Sequence, residues 1–182
     1  MTTAPHAADR LVVALRAAIL EVPDFPKPGI GFKDITPVLA DAGLFRQTTD
    51  ALAAPWAGQG ITHVLAIESR GFLFGAPVAQ ALGASLVPVR KPGKLPRATV
   101  VERFALEYGN DALELHRDAL PPAAVALVVD DVLATGGTCA AALRLVERLG
   151  AAAAGAAVVI DLSFLPWRSA LAGRRVTTLV SY

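Results

Sequence analysis

The stretch Val128-Val129-Asp130-Asp131-Val132-Leu133-Ala134-Thr135-Gly136-Gly137-Thr138 decides the fold of this 182-residue chain. The apolar run Val125 to Val129 reads as a buried strand that delivers two acids at its carboxyl end. A turn with two glycines follows, and it opens a helix predicted over Thr138 to Leu149. In open α/β sheets, ligands bind at the carboxyl ends of strands. Gly136 and Gly137 let the backbone come close to an anion, Thr135 and Thr138 add hydroxyl donors, and the amides at a helix start favour negative charge. A phosphate suits such a turn. The two carboxylates would repel it unless they serve another part of the ligand, and vicinal sugar hydroxyls, which donate hydrogen bonds, are natural partners for them. The stretch therefore reads as a site for a ribose phosphate. The competing explanation is a bare strand-to-helix turn with capping acids, and the remaining segments choose between the two.

Downstream, strands are predicted over Ala156 to Leu162 and Val176 to Val180, with a short helix after Pro166. Upstream, His63 to Ile67 is a short apolar strand ending in Glu68-Ser69-Arg70-Gly71; a helix over Phe72 to Leu82 and a strand over Leu86 to Arg90 follow. Strands alternating with helices predict a parallel α/β sheet. Near the start, Asp9 can cap a helix from about Arg10 to Glu21, and Leu44 to Trp56 reads as another. Val22 to Asp41 is too rich in Pro and Gly for regular structure, yet it holds Phe25, Ile30, Phe32, Ile35 and Val38, as a long loop packed over something would. Between Arg90 and Asp118 the texture changes, with eleven of the chain's 33 charged residues. Thr99 to Tyr108 and Ala112 to Arg117 read there as extended arms around a hairpin turn at Gly109-Asn110-Asp111.

Composition narrows the class. The chain is 54% hydrophobic and 18% charged, with a mean hydropathy of +0.50, which raises the question of a membrane span. Its longest apolar stretch, Ala151 to Ile160, is far shorter than the roughly 20 residues a span requires, and it reads as a buried strand with an Ala-rich approach. A net charge of +1 argues against a nucleic-acid binder but leaves room for a small anionic ligand held by a few local cations. Arg16 interrupts the early apolar run Leu11 to Leu20 and no cleavage site follows, so an export signal is not expected. With Cys139 as the single cysteine, this predicts a reducing, cytoplasmic setting. His6, His63 and His116 lack metal-ligand spacing, and Cys139, just inside a helix, reads as a packing residue. Neither the P-loop pattern nor Gly-x-Gly-x-x-Gly after a first strand occurs, which argues against a P-loop nucleotidase and a dinucleotide dehydrogenase.

The two acids followed by Thr135-Gly136-Gly137-Thr138 resemble the signature of the type I phosphoribosyltransferases. More narrowly, the chain is similar to the adenine-using branch of that family. Four segments in the family's order carry the likeness: Phe25-Pro26-Lys27-Pro28-Gly29-Ile30-Gly31-Phe32-Lys33-Asp34-Ile35; Glu68-Ser69-Arg70-Gly71-Phe72; Arg90-Lys91-Pro92-Gly93-Lys94-Leu95-Pro96 with Leu106-Glu107-Tyr108-Gly109; and Asp130 to Thr138. The resemblance implies an α/β fold with a central, mostly parallel β-sheet flanked by helices. It also implies a flexible β-hairpin flap at about residues 95–118 and an N-terminal loop forming a hood over the base, all in one domain spanning residues 1–182.

The implied reaction moves ribose 5-phosphate from phosphoribosyl pyrophosphate to N9 of adenine, giving AMP and pyrophosphate. Magnesium would be carried by the pyrophosphate, with no metal ligand from the protein. By resemblance, Ala134, Thr135, Gly136, Gly137 and Thr138 cradle the 5-phosphate while Asp130 and Asp131 take the ribose hydroxyls. Cleavage at the anomeric carbon builds positive charge on the sugar, so a leaving group clamped by cations and a ribose in negative surroundings favour it. Arg70, Arg90, Lys91 and Lys94 are the candidate clamp, with Tyr108 beside it, although Arg90, Lys91 and Lys94 also read as a solvated basic loop. Phe32 would stack on adenine, Gly31 and Lys33 would read its edge through backbone groups, and Leu162 would close the opposite face. Glu107, with Arg70 the catalytic candidate, would ride on the flap and handle the purine ring proton. A basic residue matching Arg90 can reach the neighbouring subunit's site in the family, which implies a homodimer. The rivals are a relative acting on another purine or a pyrimidine, and a non-catalytic regulator sensing phosphoribosyl pyrophosphate. The regulator would carry a DNA-binding module, for which the residues before Pro23 are expected to be too few.

Overall fold

The structure is a computed structural model that describes residues 7–106 and 109–182. The chain divides into two compact units, Met1–Ala51 and Leu52–Tyr182. The first begins with α1 (Ala7–Ala18), β1 (Leu20–Val22), β2 (Phe32–Asp34) and α2 (Thr36–Ala40), and α3 (Ala42–Ala53) follows. The Asp9 cap of the sequence reading is corrected: α1 starts at Ala7 and Asp9 lies inside its first turn, where its charge favours the helix dipole. The Pro- and Gly-rich segment is also more regular than its composition suggests. β1 and β2 pair antiparallel, with Leu20 opposite Asp34 and Val22 opposite Phe32. Asp34 then accepts the Thr36 amide at 2.9 Å and the Thr36 hydroxyl at 2.8 Å, and Pro37 sits in the first turn of α2.

The second unit holds β3 (His63–Ile67), α4 (Gly71–Leu82), β4 (Ser85–Val89), β5 (Thr99–Leu106), β6 (Gly109–His116), β7 (Val125–Leu133), α5 (Gly137–Arg148), β8 (Ala152–Asp161), α6 (Trp167–Ala170) and β9 (Val176–Ser181). Five strands form one parallel sheet in the order β4-β3-β7-β8-β9, so the Asp-Asp strand lies at its centre. Being covered on both faces, β3 and β7 read as near-continuous apolar runs. Leu65, Ile67, Val87, Val89, Ala126 and Val128 share one core with Ala141, Leu145 and Val146 of α5. Between them in β3, Ala66 points the other way: a Cβ built on Gly75 of α4 would lie 2.4 Å from the Ala66 Cβ. The two helices thus cover opposite faces.

β5 and β6 form the separate antiparallel hairpin expected for the charged segment. Its turn is misplaced in the sequence reading, because Leu106 pairs with Gly109 and Gly109, Asn110 and Asp111 therefore belong to the second arm. Phe104, Leu113 and Leu115 bury one side of the hairpin in the α5 core. Glu102 fastens it further, accepting from Arg144 Nε at 2.7 Å and Arg148 Nη1 at 3.0 Å. Among the described residues no helix is long and apolar enough to cross a membrane.

Candidate active site

β7 runs on to Leu133, so Asp130 and Asp131 stand within the central strand rather than just beyond it. Both are buried, at 9% and 3% exposure. Asp130 Oδ1 accepts the Asp131 amide at 2.9 Å. Burial, reinforced by the neighbouring carboxylate, pushes the Asp130 carboxyl well above the usual range. Asp131 is also raised, mainly by burial, but the Arg70 guanidinium opposes the shift. Arg70 Nε lies 2.8 Å from Asp131 Oδ2 as an ion pair, yet that buried oxygen accepts no aligned hydrogen bond. A carboxylate oxygen in this state suits a ligand hydroxyl.

Arg70 reaches Asp131 because it occupies the start of α4, at the carboxyl end of the neighbouring strand β3. Gly71 allows the approach, since a Cβ there would lie 2.9 Å from the Val129 carbonyl oxygen. After β7 the chain turns through Ala134, Thr135 and Gly136 into α5, with Gly136 at φ +81°, a conformation that favours glycine. A cavity of about 140 Å³ opens here, lined by Ala134, Thr135, Gly136 and Thr138 with Leu133 and Cys139. Gly137 is the first residue of α5. Burial, with both acids nearby, pushes the Cys139 thiol well up, so it stays protonated and serves as packing.

The basic segment is held in place. Arg90 Nε donates to Glu68 Oε2 at 2.9 Å, and the Lys91 amide reaches the same oxygen at 2.9 Å. This guanidinium holds the Glu68 carboxyl below the usual carboxylate range. Lys91 Nζ pairs with Asp111 of the hairpin. The amides of Lys94 and Leu95 donate to Glu114 Oε1 at 3.1 and 3.0 Å, and Thr99 Oγ1 donates to Oε2 at 3.2 Å. Glu68 and Glu114, neither of them among the expected site residues, thus shape the loop. Glu68 was detectable as the acid two residues before Arg70, whereas Glu114, between two leucines on a strand, carried no local sign of burial.

Of the other candidates, Glu107 and Tyr108 lie outside the described residues. In the first unit, Gly31, Phe32 and Lys33 sit at the β1–β2 hairpin. The Phe32 ring meets Phe25 edge-on, with centroids 5.0 Å apart, and Lys33 Nζ donates to Glu21 Oε2 at 2.8 Å. In the second unit, Leu162 follows β8 and its amide donates to the Leu133 carbonyl at 3.0 Å, beside the 134–138 turn.

Residues 42–163 match the family described as "Phosphoribosyl transferase domain". The chain is 55% identical over 179 residues to an adenine phosphoribosyltransferase of Myxococcus xanthus, covering 98% of this chain and 97% of the relative. Among solved structures it is similar to the adenine phosphoribosyltransferase of Rhodothermus marinus, with TM-score 0.92, 48% identity, and coverage of 96% of this chain and 99% of that one. A Saccharomyces cerevisiae adenine phosphoribosyltransferase, crystallised with an imino-altritol bisphosphate and adenine, matches with TM-score 0.88 and 40% identity over 94% of this chain and 99% of that one.

Proposed function

Since this chain belongs to the phosphoribosyltransferase family, and within it to the adenine phosphoribosyltransferases, we infer that it transfers ribose 5-phosphate from phosphoribosyl pyrophosphate to N9 of adenine, releasing pyrophosphate and forming AMP. The observation that carries the reading is the convergence of Asp130, Asp131, Arg70 and the 134–138 turn at one end of the central strand.

In this reading the 5-phosphate lies in the 134–138 turn, held by backbone amides and by the Thr135 and Thr138 hydroxyls. The ribose hydroxyls donate to Asp131, whose Oδ2 accepts no aligned hydrogen bond from the protein. Arg70, Lys91 and Lys94, with Arg90, are proposed to neutralise the departing pyrophosphate, and Tyr108 is a proposed hydrogen-bond donor to it. As the bond at the anomeric carbon breaks, the developing positive charge is offset by Asp131, whose ionised form the Arg70 guanidinium favours. Bonding of N9 to that carbon displaces the purine ring proton, and Glu107 is its proposed acceptor. Gly31, Phe32, Lys33 and Leu162 are the proposed adenine contacts, with Phe32 supplying a face for the flat ring.

Magnesium is proposed to enter with the substrate, since this ion dehydrates reluctantly and is commonly held by substrate phosphates and water. When bound, it would supply positive charge to the pyrophosphate, with no ligand proposed from the protein. A second copy of the chain is the proposed partner and the cytoplasm the proposed compartment.

The test is incubation with phosphoribosyl pyrophosphate, magnesium and, separately, adenine, hypoxanthine, guanine, orotate and uracil. AMP from adenine alone is expected. Product only from another base would move the chain to a sister enzyme, and no product from any base, with phosphoribosyl pyrophosphate still bound, would make it a sensor.

A further inference from the structure

We propose that Trp167, oriented by Asp161, is a positioning residue for the phosphate turn. The proposal rests on the reading of residues 134–138 as the 5-phosphate cradle and adds a residue that this reading leaves out. Asp161 ends β8 and is 2% exposed. A buried carboxylate needs donors for both its oxygens, and Asp161 has them. Trp167 Nε1 donates to Oδ1 at 2.5 Å, Ser181 Oγ donates to Oδ2 at 3.2 Å, and the Arg168 guanidinium lies 4.0 Å away.

The indole is thereby fixed at the first residue of α6, a helix of only 4 residues with no capping side chain. The other side of this anchor is the turn itself. A Cβ built on Gly136 would lie 3.1 Å from the Trp167 carbonyl oxygen, 3.2 Å from the Trp167 Cβ and 3.1 Å from the Ala170 Cβ. Gly136 is the left-handed residue whose conformation opens α5 onto the cavity. α6 is therefore a backstop against which the turn rests, seated on the core through Leu171 and the Trp167 ring and oriented there by the indole hydrogen bond to Asp161. Loss of the bond should let α6 shift and the Gly136 turn relax, loosening the phosphate contacts while leaving the base and leaving-group residues as they are.

Trp167→Phe keeps the ring and removes the donor. The expected result is a KM for phosphoribosyl pyrophosphate raised about tenfold, with the KM for adenine and kcat within twofold of wild type. Asp161→Asn, which still offers Oδ1 to the indole, should stay near wild type, and Asp161→Leu should reproduce the Trp167→Phe rise. An unchanged KM for phosphoribosyl pyrophosphate in folded Trp167→Phe, or an equal rise in both KM values, would overturn the proposal. Wild-type protein provides an arm that does not depend on any variant folding. Saturating inorganic phosphate should slow amide hydrogen exchange in residues 165–170 as well as in 134–138, and slowing confined to 134–138 would also overturn it. If phosphate protected neither segment and no AMP formed, the failure would lie with the cradle reading itself.

Discussion

Asp130 and Asp131 are neighbours of the same type in different electrostatic company. Arg70 stands against Asp131, whereas Asp130 has chiefly burial and its neighbour's charge, and both of these disfavour ionisation. The consequence for stability has a definite sign. A carboxyl whose folded pKa is raised binds its proton more tightly in the native state. Its stabilising contribution is therefore complete below the unfolded value of about 3.9 and is lost as pH rises through the raised folded value. Asp130→Asn removes that loss and keeps an oxygen to accept the Asp131 amide. Each unit of elevation is worth about 1.4 kcal/mol, and in a chain of this size 1 kcal/mol moves the melting temperature by roughly 2–4 °C. Asp130→Asn should melt several degrees above wild type near pH 8, with the gap closing toward pH 4. Scanning calorimetry across that range checks it, and a constant gap or a lower melting temperature at pH 8 would remove the assignment of a raised Asp130 carboxyl.

The packing of α4 on β3 shows how an element is placed for its function. Gly75 lets the helix backbone rest against Ala66, and this close fit fixes the helix that presents Arg70 at its amino end. Gly75→Ala adds a methyl where the nearest atom is a rigid Cβ 2.4 Å away. Overpacking of this kind costs about 1–3 kcal/mol. Urea unfolding should give a correspondingly lower midpoint with little change in slope, and an unaltered midpoint would mean that α4 has room to move. The hairpin is held in a comparable way. Glu102 binds it to α5, and Glu114 binds it to the loop that carries the cations proposed for the pyrophosphate.

For the molecule as a whole, the near-neutral net charge of +1 conceals a local separation, with cations along residues 90–94 and a buried acidic pair in the central strand. Leu73 of α4 and Leu86 of β4 remain 44% and 47% exposed. These residues, on a helix and an edge strand of the sheet, are natural contributors to the proposed contact between two copies of the chain. Sedimentation velocity at micromolar concentration should give a dimer, and a monomer at that concentration would remove the partner copy from the proposal.

Much was legible in the local pattern. His63–Ile67, the helix after Gly71, the central strand and the helix after Gly136 all follow from apolar period and turn residues, because those signals act between near neighbours in sequence. The Asp-Asp and Thr-Gly-Gly-Thr elements pointed to the proposed ribose phosphate site because their chemistry is contained within nine residues, Asp130 to Thr138. The hairpin turn was misplaced because Gly109-Asn110-Asp111 has turn composition while the pairing of Leu106 with Gly109 sets the register. Glu114 and Asp161 were invisible as organisers, since a carboxylate is usually solvated and only distant donors, the loop amides at 94 and 95 and the indole of Trp167, make its burial tolerable. The sequence alone thus determined the order of elements from β3 onward and the residue types of the turn proposed to hold a ribose phosphate. The tertiary structure decided which acids are buried, which cations they restrain and what supports Gly136, because each of these depends on partners that only the folded chain brings within hydrogen-bonding distance.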